Sequence, residues 1–249
     1  MHNRDSFGLD AGNYRQYRPT YPAELFEWLA SQAPGRRRAL DCATGSGQAA
    51  VDLADWFQAV DAIDSSAEQI NAATAHQRVR YSVSPAEALP FDDGQFDVIT
   101  VAQGAHWFEL DAFYAEASRV ARIGGLIAVW GYSYCAVSPQ IDDLVERCLL
   151  GAIEPYWAEG NRVITDRYRG IPFPFQELRW PEFSVKHSWT RETYIRYLAT
   201  WSAVRKYTQA NGGDILGTLE AQLSPHWPDG QMLGVQFQFV GRAGRVDSN

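Results

Sequence analysis

Two acidic side chains, Asp41 and Asp64, stand on either side of a loop that carries glycines at 45 and 47. The run Leu40-Asp41-Cys42-Ala43-Thr44-Gly45-Ser46-Gly47-Gln48 starts as a short apolar strand and leads into a helix predicted over 49–57. Glycines between a strand end and a helix N-terminus let a nucleotide-like ligand lie directly on the backbone. A second predicted strand, 59–64, then ends on Asp64, a position from which a carboxylate accepts both hydroxyls of a ribose. Loop and acid together point to an adenosine-type cofactor.

Charge separates two such cofactors. Gly45-Ser46-Gly47-Gln48-Ala49-Ala50 also fits a G-x-G-x-x-A dinucleotide fingerprint, in which the helix N-terminus holds a pyrophosphate. Asp41 enters the same loop and would repel that phosphate. S-adenosylmethionine brings a sulfonium and an α-ammonium, both cationic, which an acid at the strand end favours. An NAD(P)-dependent oxidoreductase of doubly wound fold is therefore the second reading. It also lacks a Tyr-x-x-x-Lys hydride-transfer pair, because Lys occurs only at 186 and 206. A third reading, an S-adenosylmethionine-binding protein without catalysis, stays open, since methyl transfer demands no obligatory catalytic side chain.

The elements that must position these groups alternate. A helix is predicted over 23–32, a helix opened by Ser65-Ser66-Ala67-Glu68 over 65–76, a strand over 79–84, and a turn at Asp92-Asp93-Gly94. A helix over 111–122 carries Phe113, Ala117 and Val120 on one face and stops at Gly124-Gly125. Such βα alternation implies a parallel sheet with ligands beyond the carboxyl ends of its strands. Later come a helix over 139–150, an aromatic- and proline-rich stretch over 153–181, and a strand over 182–189. A long helix over 190–211 and a last strand over 231–241 follow, with a tail from 244. Asp97, ahead of the fourth strand, is expected to pair with loop backbone.

The first half resembles the class I S-adenosylmethionine-dependent methyltransferases. Their pattern is an acid, three glycines at alternate positions, and an acid ending the second strand. Asp41, Gly45, Gly47 and Asp64 match it, with Ala43 replacing the first glycine at a position expected to need no positive φ. Ala86-Glu87-Ala88-Leu89-Pro90-Phe91, Phe96-Asp97-Val98-Ile99-Thr100 and Arg119-Val120-Ala121-Arg122-Ile123-Gly124-Gly125 match further motifs, over about residues 10–135 in all. The resemblance implies an α/β fold: a doubly wound, mostly parallel, seven-stranded Rossmann-like sheet with helices on both faces. One domain would then span 1–249. Its parts would be an N-terminal lid (1–35), a cofactor core (36–135), an insertion over the site (136–190) and late elements that complete the sheet (191–249).

Four segments resemble the branch that includes trans-aconitate-type methyltransferases. They are Tyr17-Arg18-Pro19-Thr20-Tyr21-Pro22, His106-Trp107-Phe108, Trp130-Gly131-Tyr132 and Thr200-Trp201-Ser202. That branch implies a small-molecule acceptor, with an organic acid methylated on its carboxylate as the expectation. It also implies an N-terminal segment folded over the cofactor, with Tyr14, Tyr17 and Arg18 closing the site and Arg18 reaching a carboxylate. The candidate cofactor residues are thus Asp41, Ala43, Gly45, Gly47, Asp64, Ser65, Ala86, Glu87, Ala102, Gln103, Tyr14 and Arg18. Tyr17, His106, Trp107, Trp130, Tyr132 and Trp201 are the candidate substrate pocket, and His106 is the candidate catalytic residue, orienting the acceptor or taking its proton.

Composition closes off other classes. A formal net charge of −8 disfavours a nucleic-acid surface. Arg36-Arg37-Arg38, the one basic run, reads as a solvated turn. No apolar run approaches the ~18–20 residues of a membrane span. Three scattered cysteines suggest neither a disulfide framework nor a metal site, and a cytoplasmic location is expected.

Overall fold

The structure, a computed structural model, describes residues 18–158, 160 and 166–247. Tyr14 and Tyr17 lie outside the described residues. Two compact units divide the chain. The larger comprises the described residues of Thr20–Ser133, Val163–Phe183 and Phe239–Asn249, and the smaller those of Met1–Pro19, Tyr134–Arg162 and Ser184–Gln238.

In the larger unit the parallel strands are β1 (Arg38–Cys42), β2 (Ala59–Asp64), β3 (Val79–Val83), β4 (Phe96–Ala102) and β5 (Ala121–Tyr132). The long strand β8 (Leu233–Arg245) runs antiparallel to β5, and the short β6 (Gln176–Leu178) pairs with its far side. The order is β3-β2-β1-β4-β5-β8-β6, seven strands along one path, with β7 (Phe183–Trp189) paired to β8 as an eighth. Strands covered on both faces read as continuous apolar runs. β4 obeys this, with six of its seven residues buried.

Helix α1 (Ala23–Gln32) precedes β1, and α2 (Gln48–Leu53), α3 (Ala67–Asn71) and α4 (Leu110–Val120) lie between successive strands. Amphipathic spacing explains α4, whose Phe113, Tyr114, Ala117 and Val120 are buried in one cluster with Leu40, Ile99, Ile127 and Val129. On α1, Phe26 packs edge-on against Trp130 of β5, ring centroids 6.2 Å apart. The Asp97 carboxylate is fully buried and accepts from Arg37 N at 2.7 Å, Arg38 N at 2.9 Å and Arg122 Nη1 at 2.9 Å. It ties the start of β1 to β5 as well as pairing with loop backbone.

Several boundaries differ from those predicted. The helix expected over 65–76 is only α3, capped by Ser66, whose hydroxyl accepts from Gln69 N, and not by Ser65. Its predicted extension runs into the turn that brings Thr74 N to Ser46 O. Helix α4 ends at Val120 because Ala121 pairs with Phe96 across a β-bulge, so β5 takes over Ala121 and Arg122, the residues predicted to end the helix. The expected tail is strand to Arg245, and Val246 exchanges both backbone hydrogen bonds with the Gly124–Gly125 segment. Ser66→Ala removes one capping acceptor and should cost about 1 kcal/mol in a urea unfolding curve.

The smaller unit is helical, with β7 and the first half of β8. Helix α5 runs Pro139–Val145, passes through a π-turn at Glu146–Leu150 and ends at Gly151–Ile153. It is followed by α6 (Arg191–Ala199), α7 (Ser202–Asn211) and α8 (Ile215–Leu223). The single helix expected over 190–211 breaks in two. Trp201 takes an extended conformation (ψ 130°), and Thr200 Oγ1 turns back onto Tyr197 O at 2.7 Å. Asp214, whose side chain caps Gly217 N, starts α8, and its Leu219 and Leu223 are buried. No helix among the described residues is long and apolar enough to cross a membrane.

Candidate active site

The glycine loop leaves β1 at Cys42 and is held to β2 by Thr44 N donating to Ile63 O at 2.9 Å. Ala43 adopts φ +53°, Gly45 φ +56° and Gly47 φ +86°. The left-handed conformation at Ala43 corrects the expectation that this position needs no positive φ. Alanine accepts the strain there, where glycine would have none. The two glycines serve different ends. A Cβ on Gly45 would find nothing closer than 3.8 Å, so that face of the loop is open to a ligand. A Cβ on Gly47 would collide with the Tyr81 ring, so this glycine makes room for that side chain of β3.

Asp64 ends β2 at the edge of this loop. Its Oδ2 accepts from Gly45 N and its Oδ1 from Ser66 N, each at 2.9 Å. A carboxylate has about four lone-pair sites, so two acceptor positions remain after those bonds. Ser65 follows at the surface.

Asp41 is placed differently. It is fully buried below the loop, where Thr44 Oγ1 donates to Oδ2 at 2.6 Å and Thr100 Oγ1 to Oδ1 at 2.8 Å. Burial, opposed by the two hydroxyls and reinforced by the charges of Asp64 and Asp52, pushes its pKa up to about 6. Neither threonine stands out by its spacing in the sequence. It is the β1–β4 register that sets Thr100 directly beside Asp41.

The loop after β3 carries Ala86, buried, and Glu87, whose Oε1 accepts from Glu109 N at 3.1 Å. It is clamped onto α4: Glu116 accepts from Leu89 N at 2.7 Å, and Arg119 donates to Phe91 O at 2.7 Å and Leu89 O at 3.0 Å. The loop after β4 carries Ala102, Gln103, His106 and Trp107. Gln103 is left-handed (φ +61°), donates N–H to Trp130 O and reaches Tyr132 O with Nε2 at 3.2 Å. Gly104, also unforeseen, is required because a Cβ there would lie 2.6 Å from the Ala43 methyl, so the loops after β1 and β4 touch. His106 sits in a 3₁₀ turn (Ala105–Trp107) with its ring 4.8 Å from that of Trp107. Its Nδ1 is buried without a partner among the described residues, and burial pushes its pKa down to about 4.

The carboxyl ends of β1 to β5 thus gather Asp41, Ala43, Gly45, Gly47, Asp64, Ser65, Ala86, Glu87, Ala102, Gln103, His106, Trp107 and Tyr132. Trp130 does not join them as a pocket wall. It is fully buried between Phe26 and Tyr21 and belongs to the core, because alternate β5 residues face α1. In the smaller unit, the Arg18 guanidinium lies 5.9 Å from the Tyr197 ring centroid, and Trp201 is buried among Tyr134, Trp157 and Tyr197.

Three carboxylates near one loop make its field negative. That suits a cationic cofactor, and the open Gly45 face and the two acceptor positions on Asp64 suit its adenosine. Residues 40–129 match the family model described as a methyltransferase domain. A Dictyostelium discoideum protein described as a methyltransferase is 32% identical over 241 residues, 94% of this chain and 92% of its own length. A solved Anaeromyxobacter dehalogenans structure, described as a type II methyltransferase, is 40% identical. It superposes with a TM-score of 0.88 over 94% of this chain and 100% of its own. A Saccharomyces cerevisiae protein described as an S-adenosylmethionine-dependent methyltransferase is 25% identical over 55% of this chain and 49% of its own length.

Proposed function

Because the chain belongs to the class I S-adenosylmethionine-dependent methyltransferases, we propose that it methylates a small organic acid on a carboxylate oxygen, as in the trans-aconitate-type branch. Family membership sets aside the oxidoreductase reading. S-adenosylmethionine, when bound, supplies a methyl group on a sulfonium that leaves as a neutral thioether. The chain's residues then have to hold the acceptor in line and keep water away. In this reading Asp64 takes the ribose hydroxyls, Ala86 and Glu87 meet the adenine edge, and Asp41 acts through its field, since it is fully buried below the loop and held there by Thr44 and Thr100. The likeness over 94% of the chain spans both units and supports reading them as one methyltransferase domain.

His106 carries the choice of acceptor. A base matched to a phenol or amine should have a pKa near working pH, and burial holds this imidazole near 4. A carboxylate acceptor of pKa ~4 is already ionised at neutral pH and needs no base. The neutral imidazole then orients the acid by donating N–H.

S-adenosylhomocysteine release should accordingly be seen with di- and tricarboxylates such as trans-aconitate, and not with phenols or amines. Between pH 6 and 8 the rate should show no histidine titration. His106→Gln should raise KM while leaving kcat within about threefold, against the ~10²–10⁴-fold that loss of a true base would cost. Turnover of amines or phenols alone, with a kcat loss of that size, would overturn the acid assignment.

A further inference from the structure

The smaller unit contains an open cleft of about 200 Å³ that shares Trp201 alone with the residues expected in the acceptor pocket. At ~30 Å³ for each water-sized group it has room for about seven heavy atoms. One wall is a single face of α5, on which Asp142, Val145, Glu146 and Leu150 follow one another at helical spacing. Facing it are Tyr134, Cys135, Tyr194 and Trp201.

Two features set this cavity apart from a packing defect. The π-turn Glu146–Leu150 widens α5 at the cavity wall, and both of its end residues line the space. Such turns cost helix stability and concentrate at ligand sites. The lining chemistry is also one-sided. It holds two carboxylates and three aromatic rings, and no Lys, Arg or His. Asp142 accepts one backbone bond, from Val137 N at 2.9 Å, and no cation pairs with Asp142 or Glu146 among the described residues. The nearby Arg147 is engaged by Asp143 at 2.7 Å, and Glu146 is exposed like these two while Asp142 is half-buried. Trp201 is fixed by ring contacts to Tyr134 and Trp157, so its ring is pre-positioned.

A negative, aromatic-walled space selects a positive guest. A bare metal ion is not the match, because the described residues include no group of three side chains able to hold one. Aromatic rings instead recognise weakly hydrated cations whose charge is spread over alkyl groups. We infer that this cavity binds an organic ammonium of about choline size, with Trp201, Tyr194 and Tyr134 against its alkyl groups and Asp142 and Glu146 supplying the counter-charge. Organic acids are repelled from it. The inference therefore does not rest on the acceptor assigned above, and it is tested without any methyl acceptor.

The full chain is titrated with choline, with tetramethylammonium, with 3,3-dimethylbutan-1-ol (the neutral isostere of choline) and with acetate, at fixed ionic strength. Binding is followed by calorimetry and by Tm. The two ammonium ions should bind saturably and raise Tm, and the alcohol and acetate should not. Asp142→Asn with Glu146→Gln keeps the bond from Val137 N and should weaken choline at least tenfold. Trp201→Phe, which preserves a buried ring, should weaken it several-fold, and S-adenosylhomocysteine affinity should hold in the double carboxylate variant. Should the alcohol bind as well as choline, neither ammonium bind, or the double variant bind choline like the wild type, the assignment is wrong. Turnover of acids in the acceptor screen bears on the other reading alone.

Discussion

Asp64→Ala is expected to weaken S-adenosylmethionine binding by about 2–4 kcal/mol, roughly 30- to 1,000-fold in Kd. Two charge-assisted hydrogen bonds at ~1.5–3 kcal/mol each, partly replaced by water, make up that loss. A second contribution comes from the protein itself. The carboxylate accepts from Gly45 N and Ser66 N, so its loss also frees the one stretch of the glycine loop whose surface is open to a ligand. Asp64→Asn separates the two. Its amide oxygen can keep one backbone bond while the charge is lost, so it should fall between wild type and alanine. The fold should persist in both, because Asp64 lies at the rim of the sheet and no core side chain depends on it. Calorimetric titration with S-adenosylmethionine is the measurement, and an unchanged Kd for the alanine variant would remove Asp64 from the site.

Much of this site is legible in the residues because its signals are local. An apolar run, a glycine loop and an acid at the end of the next strand specify one another through chain geometry alone. The β2 strand and helix α1 fall on their predicted bounds for the same reason. What escapes are consequences of register and close approach. Thr100 joins Asp41 only because β4 lies beside β1, and Gly104 is compelled by the Ala43 methyl from another loop. Trp130 reads as a pocket residue from its neighbours in sequence, yet the pleat of β5 turns it into the core. The break at Trp201 is a similar case: its apolar spacing continues from α6 into α7, and only the Thr200 hydroxyl bond shows that the helix stops. The left-handed backbone at Ala43 and Gln103 has no compositional signal, because neither residue type advertises positive φ.

The second large effect concerns Asp41 and has opposite signs for stability and for binding. Its pKa is raised by burial from an ordinary carboxylate value to about 6 in the ligand-free protein. A raised folded-state pKa means that the group's contribution to stability is complete below pH ~4 and is lost as pH rises through 6. Raising a carboxyl from an ordinary ~4 to ~6 means that the ionised, buried form withholds roughly 3 kcal/mol at pH 7. The free protein should therefore gain from this group on acidification from pH 7 to 5; because buried His106, with its pKa pushed down to about 4, loses stability over the same range, the gain is read as the difference in urea midpoint between wild type and Asp41→Asn. A bound sulfonium and ammonium favour the charged form, so S-adenosylmethionine binding must expel a proton wherever Asp41 is still protonated. Affinity should be flat above pH ~6.5 and fall by up to about tenfold per unit below 6. Proton release, read from calorimetry in buffers of different ionisation enthalpy, should approach one per cofactor at pH 5. Asp41→Asn should stabilise the free protein at pH 7 and progressively less towards pH 5, and leave a weaker affinity without the fall below pH 6. A stabilisation by Asp41→Asn that does not shrink on acidification, or an affinity that still falls below pH 6 in this variant, would show that Asp41 is not the group coupled to the cofactor's charge.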